Sequence, residues 1–140
     1  MKSQAPEFVP SIEEYVSALR MIEGQMTEKQ REMLIKHYNS DCHVTTATDL
    51  AGAVGYKDFS GANMQYGRLG NLVSNALGLG SPGVITLVLM VPPREAGNPE
   101  WLWVMRANIA EALERLGWVE KTSHLFYPNG GVGSKEYFQE

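Results

Sequence analysis

Six residues between Ser60 and Asn71 carry the plainest chemical potential in this chain. Ser60, Asn63, Met64, Gly67, Arg68 and Asn71 recur at three- and four-residue steps, so a helix places them on or near one face. An asparagine amide pairs with the edge of adenine, and an arginine pairs with guanine or a phosphate. Small residues such as Gly67 let a helix sit deep in a groove. Lys57 just before this segment and Arg106 well after it are the cations placed to touch phosphate. The opposing reading is a structural helix whose polar face meets water or another protein. Charge favours that reading: from Val44 to Leu77, Lys57 and Arg68 are balanced by Asp49 and Asp58, whereas readers of DNA bring several cations for the phosphates.

Other reactive residue types form no working set. Asp41-Cys42-His43 places a thiol beside an imidazole, but adjacent side chains rarely face each other and no orienting group follows. The segment reads as a turn with a half-buried thiol. His37, Cys42, His43 and His124 do not match the spacing of a zinc site, so no metal is expected. Gly78 to Gly83 and Gly130 to Gly133 lack the strand-loop-helix pattern of a phosphate loop. Glu111 and Glu114 share a helix face near Arg115, which is an ordinary solvated arrangement. No constellation carries catalysis, so neither an enzyme nor a cofactor is expected.

Helical elements must position the polar face. Ser11 caps a helix carrying Ile12, Tyr15, Val16, Leu19 and Ile22 at helical spacing, with Glu13 and Glu14 in its first turn. Thr27 followed by Gln30 is a capping-box pattern that opens a second helix, with Leu34, Ile35 and Tyr38 on its stripe. Thr46 or Thr48 caps a short helix around Asp49 to Val54. Ser60 opens the long helix, whose buried face holds Ala62, Tyr66, Leu69, Leu72, Val73, Ala76 and Leu77. Gly67 and Gly70 each cost that helix about 1 kcal/mol relative to alanine, which points to a backbone or a ligand approaching closely.

Two extended segments follow. Val84 to Val91 (VITLVLMV) reads as one strand and Trp101 to Met105 as the next, joined by a loop containing Pro92, Pro93, Gly97, Asn98 and Pro99. Strand alternation puts Trp101 and Trp103 on one face, which is either core or, if exposed, a protein or base-stacking surface. Asn108 caps a last helix over Ile109 to Leu116, and Pro128 to Gly133 (PNGGVG) is a loop or hairpin tip.

Three helices followed by a two-stranded wing give an α+β fold, a winged helix-turn-helix. An extra helix precedes it, and a C-terminal helix packs on the short antiparallel sheet. Residues 1–10 read as a loose leader and 11–140 as a single domain. At 140 residues, with 44% hydrophobic and 20% charged residues, the chain is long enough for a real core. Formal net charge is −4; this removes the easy argument for nucleic acid and admits an acidic surface that meets a basic partner. A single cysteine excludes an internal disulfide, the N-terminus has no signal-peptide core, and no apolar run reaches the roughly 20 residues needed to span a bilayer. The expectation is a cytoplasmic protein without a membrane partner.

The order REML..HY (Arg31 to Tyr38), VTTATDLAGAVGY (Val44 to Tyr56), ANMQYGRLG (Ala62 to Gly70) and WLWVMRANIAEALERLGWV (from Trp101) resembles a small domain attached to predicted HNH-type restriction endonucleases and related stand-alone proteins of unknown function. The similarity runs from about Thr27 to Trp118. VTTATDLAGAVGY is also similar to the helix-turn-helix half of alkyltransferase-like DNA-repair proteins. Those carry a Pro-Cys-His-Arg acceptor after the recognition helix; here Cys42-His43 precedes it, which argues against alkyl transfer. No His-Asn-His nuclease arrangement is present. The resemblance implies a non-catalytic module that binds double-stranded DNA or assembles a nucleic-acid-processing complex in restriction or phage defence. Its alternative is an acidic protein-interaction domain that regulates or inhibits such a complex.

Overall fold

The computed structural model describes residues 9–121 apart from Ser81 and Asn98. Residues 1–8 of the expected leader, His124 and the PNGGVG segment lie outside the described residues.

Local capping sets the first two helices. In α1 (Ile12–Ile22) the Ser11 hydroxyl accepts from the Glu14 N–H, and the Glu14 carboxylate accepts from the Ser11 N–H. Thr27 and Gln30 repeat that reciprocal pair at the start of α2 (Glu28–Tyr38). Each pair satisfies two N–H groups that the first turn of a helix would otherwise leave open. A short strand, β1 (Val44–Thr45), follows, then α3 (Ala47–Ala53) and the long α4 (Phe59–Ala76). Thr46, rather than Thr48, caps α3 by accepting from the Asp49 N–H at 3.0 Å. Asp58 caps α4 by accepting from the Ser60 N–H at 2.9 Å.

Only the second half of the apolar run after α4 is a strand. Gly83–Thr86 forms a 3-10 turn, and β2 spans Val88–Val91. The turn forms because the backbone at Gly83 packs onto α4 at Gly70. A β-carbon at Gly70 would lie 2.1 Å from the Gly83 carbonyl oxygen and 3.2 Å from the Val84 Cα. A uniformly apolar sequence does not reveal that switch. The prolines after β2 begin a single helical turn, α5 (Pro93–Ala96), where a plain loop was expected. β3 (Leu102–Met105) leads directly into α6 (Ala107–Leu116).

The three strands pair antiparallel in the order β1-β3-β2, with Thr45 opposite Trp103 and Met90 also opposite Trp103. The third strand, β1, was not foreseen, since two residues carry no alternation. Its addition completes the winged-helix plan: helix, strand, two helices, then two strands, over α2 to β3. The extra helices α1 and α6 pack against each other beside it. Arg106 stands at the N-cap of α6 and Asn108 instead donates to the Pro10 carbonyl at 2.9 Å. Pro10 is therefore buried and bonded, not part of a loose leader.

Tyr15, Leu19, Met33, Leu34, Tyr38, Leu50, Tyr66, Leu69, Leu87, Ile109 and Leu113 are the largest fully buried side chains and form one continuous core. No helix among the described residues is long and apolar enough to cross a membrane.

Candidate functional site

The long helix is held from behind by a buried polar chain. His37 on α2 is fully buried, with Nε2 2.9 Å from the Trp103 carbonyl and Nδ1 2.8 Å from the Tyr66 hydroxyl. A carbonyl only accepts, so Nε2 carries the proton and the Tyr66 O–H donates to Nδ1. Burial lowers the His37 pKa to about 4 and pushes the Tyr66 phenol up. The pair is neutral throughout the physiological range and ties α2, α4 and β3 together. It has the residue types of a catalytic relay, but both members are sealed in the core.

In front of that anchor, Lys57, Ser60, Asn63 and Arg68 are exposed. Among the described residues, no hydrogen bond or ion pair engages the side chains of Lys57, Asn63 or Arg68. Gly67 lies between them, and a β-carbon added there would meet nothing within 4 Å, so no neighbouring backbone explains that glycine.

Two of the six sequence-predicted residues do not join this face. Asn71 is half-buried, and its Oδ1 accepts from the Gly83 N–H at 2.7 Å. It holds the turn that packs on Gly70. Arg106 is buried at the foot of β3, where Nε donates to the Ile85 carbonyl at 2.9 Å. An arginine fixed there cannot reach a phosphate. Both residues are corrected from DNA contacts to parts of the scaffold.

A groove of about 280 Å³ opens between the start of α4 and the wing, lined by Phe59, Asn63, Met90, Glu100, Trp101 and Trp103 among others. Alternation places Trp101 and Trp103 on one side of the strand, as expected. Trp103 is core, whereas Trp101, one residue before β3, is 49% exposed at the groove mouth. Phe59 is 52% exposed, and Met64 and Met90 are exposed on the same two elements. Glu100 accepts a hydrogen bond from the Thr48 hydroxyl. That bond, followed by one from Thr46, holds its carboxyl below the ordinary value against the opposing effect of burial. An internal carboxylate therefore occupies the start of α3, where a helix N-terminus would otherwise favour a phosphate.

Sequence reasoning missed Phe59, Met90 and Glu100. Phe59 gave no signal of exposure, because it stands in helical phase with Ala62, Tyr66, Leu69 and Val73 and reads as the first residue of the buried stripe. Glu100 gave none, because its partner Thr48 lies 52 residues away.

The Cys42 region is not a second site. Asp41–His43 is a 3-10 turn in which Cys42 and His43 both adopt left-handed backbone angles, φ 56° and 62°. The thiol is exposed rather than half-buried. His43 Nδ1 donates to the Tyr38 carbonyl at 2.7 Å. No group of metal-binding side chains occurs among the described residues.

Comparison with family models, curated proteins and solved structures returned no match.

Proposed function

We propose that this chain is a non-enzymatic winged-helix module of the cytoplasm that binds double-stranded DNA with the front of α4 and the adjoining wing. The observation that carries this reading is the set Lys57, Ser60, Asn63 and Arg68. Ser60, Asn63 and Arg68 stand exposed on the helix that reads the major groove in winged-helix proteins, Lys57 is exposed in the turn before it, and the fold makes no use of the side chains of Lys57, Asn63 or Arg68. Asn63 and Arg68 are the base-reading pair, and Lys57 meets the backbone. The resemblance to a domain of HNH-type nucleases would place such a module in restriction or phage defence.

Few phosphates are engaged in this mode. With Lys57 on the backbone and Arg68 the one further cation of this set, the slope of log affinity against log salt is between about −1 and −2. Fluorescence anisotropy with labelled duplexes, unmodified and base-modified, at low and near-physiological salt, measures it. Binding with that shallow slope, lost in Arg68→Ala, supports the reading. No binding even at low salt retires it.

A second reading, an acidic protein-interaction domain that regulates a nucleic-acid-processing complex, draws on a separate observation. Phe59, Met90 and Trp101 are large apolar side chains exposed around one groove. Capture of a stoichiometric protein partner from the native host, abolished by Trp101→Ala, would favour it over DNA.

A further inference from the structure

We propose that the groove between α4 and the wing takes a single unstacked nucleobase, held by its faces and its hydrogen-bonding edge rather than by its phosphate. This rests on the DNA reading above and deepens it.

The walls are aromatic. Phe59 rises from the first turn of α4 and Trp101 from the end of the wing, and Trp103 lies between them and the core. Tyr15, Tyr38 and Tyr66 are wholly buried, whereas Phe59 and Trp101 are half-exposed at this groove. Aromatic faces of this kind stack on planar heterocycles whatever their sequence.

The groove also has a polar edge. Asn63 offers an amide donor and acceptor that nothing in the described fold uses. Glu100 adds negative charge to the wall, with Oε2 taking the Thr48 hydroxyl and Oε1 buried. An amide that both donates and accepts suits a base edge that does the same, such as that of adenine or cytosine. The same carboxylate repels phosphate from the interior of the groove. Lys57 and Arg68 do not line it; Lys57 stands exposed two residues before Phe59, where a phosphate flanking an extruded base would run.

An arginine side chain is the competing ligand, since aromatic walls and a carboxylate also suit a guanidinium. The exposed cation at the groove mouth, Lys57, disfavours a basic peptide and favours a polyanion. Stacking also accounts for a DNA-binding surface with so few cations, because it supplies affinity that does not depend on salt.

The test titrates the full chain with short duplexes of one sequence. One is fully paired, one carries a single mismatched cytosine that leaves the stack readily. An arginine-rich peptide is the control, and tryptophan emission and anisotropy are both read. The mismatched duplex is expected to bind about tenfold more tightly and to quench Trp101. Trp101→Ala and Asn63→Ala should lose that preference, and Trp101→Phe should retain it. Equal binding of both duplexes, or a preference that survives Trp101→Ala, overturns the proposal while leaving duplex binding intact. Binding of the mismatched duplex alone upholds the groove and retires the paired-duplex reading. Quenching by the peptide with none by either duplex overturns both.

Discussion

Asn63 and Asn71 stand about two turns apart on the same helix and face the same general side, yet their surroundings have nothing in common. Asn71 receives the Gly83 N–H, and three residues on the Ser74 hydroxyl donates to the Gly80 carbonyl at 2.6 Å. Next to Asn71, Gly70 admits the Gly83 backbone at a distance no side chain would allow. The rear half of α4 is thus a docking strip for the chain's own next segment. In the front half Asn63, Gly67 and Arg68 meet nothing of the fold. Residue type therefore does not separate a structural amide from a functional one; only the partner does.

The two halves should differ most at the glycines. Gly70→Ala drives a methyl into the Gly83 carbonyl, and unfolding titrations should show a loss of about 3 kcal/mol or more. If the loss is under about 0.5 kcal/mol, the rear half is not held as described.

Acid tests the anchor behind the front half. His37 has a folded pKa of about 4 against an ordinary 6.5, so between these values the unfolded chain binds more protons. Stability should be fully present above pH 6.5 and fall as pH drops toward 4, by about 3 kcal/mol in total. His37→Gln, which keeps polarity without titrating, should flatten that part of the stability profile. A slope unchanged in the variant would assign the acid loss to other groups.

The asparagines should separate next. Asn71→Ala leaves the Gly83 N–H without its partner and costs about 1–2 kcal/mol. Asn63→Ala stays within about 0.5 kcal/mol and shows its effect in binding. Equal costs would erase the distinction between the halves.

The effect at Gly67 has the opposite sign. Gly67→Ala enters open space and should stabilise the helix by about 1 kcal/mol. A stabilised variant that binds DNA less well would mark Gly67 as the place where a ligand approaches.

Much of the scaffold was legible because its signals are local. The N-cap at Ser11 and the reciprocal cap at Thr27 need no more than four residues of sequence, and the stripe of α4 repeats often enough to give the buried face. What was hidden depends on distant partners. β1 is two residues long and exists only because β3 accepts it. Gly83–Thr86 turns only because Gly70 lets it dock. Arg106 looked like a free cation until the Ile85 carbonyl came within reach. The candidate site was half legible for the same reason: Lys57, Ser60, Asn63 and Arg68 follow from helical phase, whereas Phe59, Met90 and Glu100 converge only once the wing folds over α4.

The pairing of α1 with α6 has a consequence for how the chain is made. α1 leaves the ribosome early, but the groups that satisfy it come late. Tyr15 waits for the Thr86 carbonyl, 71 residues on, and Glu13 for Arg115. At roughly 5–20 residues per second, the first of these waits lasts roughly 4–14 seconds. During that interval Tyr15, Leu19 and Ile22 form an apolar stripe that α6 has yet to cover. The capping box at Ser11 keeps α1 in register through the wait, so a nascent chain lacking it should be the form most dependent on chaperones.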